Sequence, residues 1–137
     1  MMSFGIKKET THYKEFTGGA AQISASTTAY APINGTTNYN ATENNRQTLI
    51  SRTCLISNLV VVLGNGQPAS GNLVFTVRKN GVDTALTITV LANAAAGTYS
   101  DTTHSVSFSA GDLISLKGAN AATGNSAALV AWAVKTK

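Results

Sequence analysis

Much of the chain after residue 47 alternates apolar and polar side chains with the two-residue period that is typical of β-strands. The alternation is clear at 73–78, 86–90 and 102–109. Two further segments, 53–63 and 127–134, carry apolar residues on both faces, so each strand must be covered twice. Helical periodicity is absent from the pattern, which predicts an all-β protein.

Turn residues separate these segments. Asn80-Gly81 lies between two alternating runs and predicts a β-hairpin. Loops are expected at 64–68, 92–97 and 119–126, where Gly, Asn, Pro and Ala replace the alternation. The count is about eight strands, which predicts an antiparallel β-sandwich. The pattern alone leaves both jelly-roll and immunoglobulin-like connections open.

The first part of the chain lacks this regularity. Residues 1–26 combine charges, the pair Gly18-Gly19 and isolated apolar side chains, so we predict an extended N-terminal arm there. One strand is expected near Tyr30, followed by a loop rich in Asn over 34–45. The sandwich domain is predicted over 27–137, because a chain of 137 residues has room for one core.

Composition and charge narrow the function classes. Charged residues are 12% of the chain and the ten Lys and Arg are scattered, whereas nucleic-acid binders cluster them on one face. No apolar run reaches the length of a membrane span and no signal-peptide pattern is present. The single Cys54 cannot form an internal disulfide and is interpreted as a small buried hydrophobe. We expect no nucleic-acid or membrane partner.

Candidate chemistry is sparse. His104 follows Asp101 by three residues, as in a carboxylate-oriented base, but no nucleophile elbow accompanies the pair, and we interpret it as a strand histidine satisfied by nearby hydroxyls. His12 and His104 have no second ligand at metal spacing. We therefore expect neither an enzyme nor a metal or other cofactor. Tyr30, Tyr39 and Tyr99 leave glycan binding open, against packing over the ends of the sandwich.

Two motifs carry a family resemblance. The run 77–90 holds Arg-Lys-Asn-Gly before a Thr-rich strand, and 108–116 reads F-x-x-G-D-x-I-x-L. From Leu49 to Lys137 the chain resembles the jelly-roll domains, related to the tumour-necrosis-factor and C1q type, of bacteriophage virion proteins such as head decoration (cement) proteins, head fibres and tail fibres. The resemblance implies jelly-roll topology and a homotrimer in which each subunit packs one sheet around a three-fold axis.

These implications define the expected sites and partners. A trimeric capsid decoration protein would contact the major capsid protein, or another virion protein, through apolar residues of the arm: Phe4, Ile6, Tyr13 and Phe16. The expected subunit interface comprises apolar residues of the two doubly apolar strands: Leu59, Val61, Leu129, Ala131 and Ala133. The expected location is the capsid surface of a virion, after synthesis in the host cytoplasm. The alternative is a fibre or spike head domain that binds a host glycan or receptor through its loops.

Overall fold

A computed structural model describes residues 14–20, 22–124 and 130–137. In these residues the only helix is one 3-10 turn, Glu43–Asn45. The strands are β1 (Lys14–Ala20), β2 (Thr27–Ala31), β3 (Gly35–Thr36), β4 (Thr48–Leu49), β5 (Cys54–Leu63), β6 (Leu73–Lys79), β7 (Val82–Val90), β8 (Gly97–Phe108), β9 (Leu113–Asn120) and β10 (Val130–Thr136). The all-β prediction is confirmed. The described residues form ten strands rather than about eight, because they include two short strands, β3 and β4, of two residues each.

The strands form two sheets that pack face to face. The first sheet has the order β3-β1-β10-β5-β8, and the second has the order β2-β9-β6-β7, with β4 also paired to β9. All pairs are antiparallel except β1 with β3. The eight long strands form four nested pairs, in which β6 with β7 is the innermost and β1 with β10 the outermost.

The core lies between the sheets and contains the inward side of every long strand. Its largest buried side chains include Phe75, Phe108 and Leu116. The indole of Trp132 is also buried, and its Nε1 donates a 2.9 Å hydrogen bond to the carbonyl of Ile33. Gly18 lies opposite Trp132, where an added Cβ would come within 2.5 Å of the ring. Glycine is needed there because the ring occupies the space of a side chain.

The β6–β7 hairpin agrees with the sequence prediction. Asn80 and Gly81 both have positive φ, 52° and 79°, as the expected two-residue turn requires. Asp112 stabilises the adjacent β8–β9 turn, because its Oδ2 accepts a 2.8 Å bond from the Ser109 amide. β8 begins at Gly97, earlier than the predicted residue 102. The first five residues of β8, 97–101, include no aliphatic side chain, so the sequence shows no apolar–polar alternation there.

The predicted arm includes a strand of the sandwich. Residues 14–20 of the range 1–26 form β1, which pairs along its whole length with β10. Phe16 lies opposite Val134, is half-buried and packs against the core. Phe16 is therefore part of the sandwich and not of a free arm. The other expected arm contacts, Phe4, Ile6 and Tyr13, lie outside the described residues.

Candidate functional site

The outer face of the first sheet is built from short side chains. Two rows of residues cross its four long strands in register: Gly19, Ala131, Val62 and Thr98 in one, and Thr17, Ala133, Val60 and Ser100 in the other. We call these eight residues the open face. Val62 is 44% exposed. Thr17, Ala131, Thr98 and Ser100 are also exposed, while Gly19, Val60 and Ala133 are half-buried.

The open face carries no formal charge. The nearest charged pair in the register is Glu15 opposite Lys135, in the next row towards the end of β10. Apolar methyl groups and hydroxyls therefore form a continuous surface across four strands. A sheet face of this kind can be covered by a second protein surface at a small desolvation cost, because no charge is removed from water.

The expected interface residues divide between the two faces of the sheet. Ala131 and Ala133 lie on the open face, as the alternation of β10 indicated. Leu59 and Val61 point the other way and are completely buried in the core of the same chain. A neighbouring subunit could meet Val60 and Val62 on this strand, but not Leu59 and Val61. Leu129 lies outside the described residues.

A bulge in β5 reverses which side chains face the core, so the two halves of the strand follow opposite alternation. Asn58 has a φ of 57°, in the left-handed region, and the register with β8 shifts between Ser57 and Leu59. Simple alternation puts Ile56 and Leu59 on opposite faces, yet both are buried in the core. The signal was the polar pair Ser57-Asn58 inside an apolar run, since Asn tolerates a positive φ better than most residues.

A second cluster lies where β8 bulges away from β5. Asp101 is 7% exposed, and its Oδ2 accepts bonds from the Thr87 amide of β7 at 3.1 Å and from His104 Nδ1 at 2.8 Å. Its Oδ1 accepts bonds from the amides of Thr103 and His104 and from the Thr103 hydroxyl. The carboxylate thus joins the edge strands of the two sheets, β7 and β8.

The geometry of this cluster favours a structural role. Burial acts to raise the pKa of Asp101, but the hydrogen bonds from His104, Thr103 and Thr87 outweigh it, so the pKa lies well below the usual range. His104 is 51% exposed and holds its Nδ1 against the carboxylate. The hydroxyl nearest the imidazole, Thr103 Oγ1 at 3.2 Å, is itself bonded to Asp101. Asp101 and His104 resemble a carboxylate-oriented base. The Thr103 hydroxyl, however, donates to Asp101 and thereby stabilises the bulge of β8.

A third cluster covers the outer face of the second sheet. Arg78 donates through Nε and Nη2 to the two carboxylate oxygens of Glu43, at 3.0 and 2.8 Å, and also binds Asp83. Glu43 accepts a 2.7 Å bond from the Ser115 hydroxyl. The Arg78 bond lowers the pKa of Glu43, while the carboxylate raises that of Arg78. The sequence analysis did not predict this cluster, because Glu43 precedes Arg78 by 35 residues and no local pattern links them.

The three tyrosines considered for glycan binding contact the protein itself. The Tyr39 ring lies 6.1 Å from that of Trp132, and its hydroxyl is buried. Tyr30 lies beneath the guanidinium of Arg78, 5.5 Å from the ring centroid. Tyr99 packs against the core and donates its hydroxyl to the Ala95 carbonyl. Each ring is therefore engaged in packing.

Within the described ranges, no three His, Cys, Asp or Glu side chains lie close enough to hold one metal ion. In the same residues, no helix has the length and apolar character needed to cross a membrane. No protein-family model matches this chain. No curated protein matches it either. The candidate site therefore depends on the geometry of the chain alone.

Proposed function

We propose that the protein is a structural virion subunit, a trimeric capsid decoration protein that assembles through the open face of its first sheet. The observation that carries this proposal is the uncharged surface on which Val62 and Ala131 are exposed and Val60 and Ala133 are half-buried. Monomeric proteins rarely leave large contiguous apolar surfaces in water, and such surfaces commonly mark contacts with other proteins. Around a three-fold axis, each copy presents this sheet to its neighbours.

The path of the chain supports the jelly-roll arrangement implied by the family resemblance. A jelly roll results when a long antiparallel ribbon folds over, so that the first strand pairs with the last and the middle strands form a hairpin. The four nested pairs, from β1 with β10 to β6 with β7, follow that order. This topology recurs in capsid and lectin domains, so it supports the class and not one partner.

Small side chains suit close packing at a symmetry axis. Ala131 and Ala133 allow the backbones of neighbouring sheets to approach, and Val60 and Val62 fill the space beside them. Fully burying a valine side chain stabilises an assembly by roughly 1.5 kcal/mol, repeated in each copy. A cyclic trimer repeats every contact three times, so a modest patch on one chain gives a substantial total.

The capsid contact is proposed for residues before the sandwich. Phe16 packs against the core, which leaves Phe4, Ile6 and Tyr13 of the expected contact set. Burial of these three apolar side chains against a capsid surface would stabilise the contact. The fibre or spike alternative has less support, because Tyr30, Tyr39 and Tyr99 are engaged in packing within the chain.

The test compares oligomeric state in two charge variants by sedimentation velocity and light scattering. Wild-type protein should give a particle of three times the 14.1 kDa chain mass at micromolar concentration. Val62→Asp should dissociate it, because the new carboxylate would be desolvated at the interface. The matched control is Thr89→Asp, at an exposed position of β7 in the second sheet, and this variant should remain trimeric. A monomeric wild type would refute the proposal.

A further inference from the structure

Charge is distributed unequally between the two ends of the sandwich. At one end, the described loops 22–26, 64–72, 91–96 and 121–124 contain no Asp, Glu, Lys or Arg. These loops bond to one another, for example through the Ser26 and Ala121 amides. The opposite end, where Ile50 bonds to the β8–β9 turn, carries Lys14, Arg52 and Lys79, of which Lys79 is paired with Asp112. We call it the basic end.

A groove of about 460 Å³ opens at the basic end. Its lining combines the apolar side chains of Phe16, Leu49, Ile50 and Cys54 with the cations Lys14 and Arg52 and with four uncharged polar residues. Leu49 is 64% exposed there. Burial raises the pKa of the Cys54 thiol and outweighs the opposing effect of Arg52. The thiol is therefore uncharged at neutral pH. The volume is that of a typical ligand cleft.

The two cations of the groove differ from three cations elsewhere in the described chain. Arg78, Lys79 and Lys117 each lie against a carboxylate. Among the described residues, Lys14 and Arg52 have no acidic partner. Two cations beside an exposed leucine present a combined positive and apolar surface, which is complementary to a carboxylate next to an apolar side chain.

We infer that this groove binds an acidic peptide segment of a partner protein, with an apolar side chain of that segment between Leu49 and Phe16 and its carboxylates against Lys14 and Arg52. A protein segment fits better than nucleic acid, which is bound by rows of cations with exposed stacking rings. The chain's own residues 1–13 include Lys7 and Lys8 against one Glu9, so their charge does not complement the groove.

The partner chemistry extends the proposed function and rests on it, because it indicates which end of the subunit meets the capsid. The basic end would face an acidic surface of the lattice, and the uncharged end would face away. Residues 1–13 join the sandwich at Lys14, on the rim of the same groove.

Fluorescence anisotropy with the full chain tests the inference without a virion. The probe is a labelled peptide of alternating glutamate and leucine, with a lysine–leucine peptide and single-stranded DNA as competitors. Arg52→Gln should weaken binding of the acidic peptide about tenfold, as loss of one charge-assisted hydrogen bond predicts. Leu49→Ser should weaken it as well. Asn65→Glu, at the uncharged end, lowers the net charge equally and should leave binding unchanged.

Several outcomes would overturn the inference. One is no binding of the acidic peptide by the wild-type chain, and another is an Arg52→Gln variant that binds like wild type. DNA that displaces the peptide and loses affinity in the same variant would assign the groove to nucleic acid instead. Because the assay needs no trimer, peptide binding by a chain that sediments as a monomer would separate failure of the proposed function from failure of the groove.

Discussion

Replacing Asp101 by Asn tests whether the buried carboxylate joins the two sheets. The variant can keep one acceptor oxygen in the position of Oδ1, which retains the bonds from Thr103 and from the His104 amide. The new amide nitrogen then faces the Thr87 N–H, which loses its acceptor. Hydrogen bonds to charged groups contribute about 1.5–3 kcal/mol, and an unsatisfied buried donor costs about 1–3 kcal/mol. We expect a loss of about 2–4 kcal/mol in the free energy of unfolding.

Urea denaturation followed by the fluorescence of Trp132 gives the measurement, at one protein concentration for all variants. The matched control is Asp83→Asn, which makes the same chemical change at a carboxylate that is 48% exposed. Exposed ion pairs contribute about 0–1 kcal/mol, so the control should lose less than about 1 kcal/mol. A loss in Asp101→Asn of under about 0.5 kcal/mol would refute the role assigned to the carboxylate.

The same pair of proteins makes a prediction about pH. The pKa of Asp101 is lower in the folded chain than in the unfolded chain, so the unfolded chain binds the proton more readily. Its contribution is complete above the unfolded pKa of about 4 and falls as the pH drops below that value. The stability gap between wild type and Asp101→Asn should narrow from about pH 5 to about pH 3. A gap that stays constant over this range would contradict the assigned hydrogen bonds.

Two further substitutions test packing and the third cluster. Gly18→Ala should lower the free energy of unfolding by about 1–3 kcal/mol, since its Cβ would lie 2.5 Å from the Trp132 ring. Gly19→Ala is the control and should lower it by less than about 1 kcal/mol, because its nearest contact is 3.4 Å away. Equal thermal shifts in the two variants would contradict this prediction. Arg78→Lys loses the two-bond contact with Glu43 and should cost about 1–2 kcal/mol. Hydrogen exchange of residues 40–47 should then rise, and unchanged exchange would show that the contact does not hold this segment.

The resemblance and the structure bear on different parts of the proposal. The motifs at 78–81 and 108–116 lie at turns, which recur in many sandwiches with different partners. The open face and the groove lie elsewhere, on the outer side of the first sheet and at the basic end. The oligomeric state and the partner chemistry can therefore be tested separately, the first by Val62→Asp and the second by Arg52→Gln.

The sequence by itself determined the class of the fold. The alternation of apolar and polar residues predicted β6, β7 and the later part of β8, because a strand exposed to water on one side must keep its apolar residues on the other. Asn80-Gly81 determined the hairpin, since positive φ at both positions is accessible to these residues at little cost. Both signals are local and can be read from neighbouring residues.

Tertiary structure decided which surfaces remain available. The bulge at Asn58 moved Leu59 and Val61 into the core and left Val60 and Val62 outside, because one extra residue of β5 relative to β10 reverses the facing of every side chain after it. β1 joined the sheet because β10 offered it an unpaired edge, which no pattern within residues 14–20 could indicate. The groove likewise depends on contacts between distant segments: Lys14 and Arg52 lie far apart in sequence and line one groove only because the strands pair.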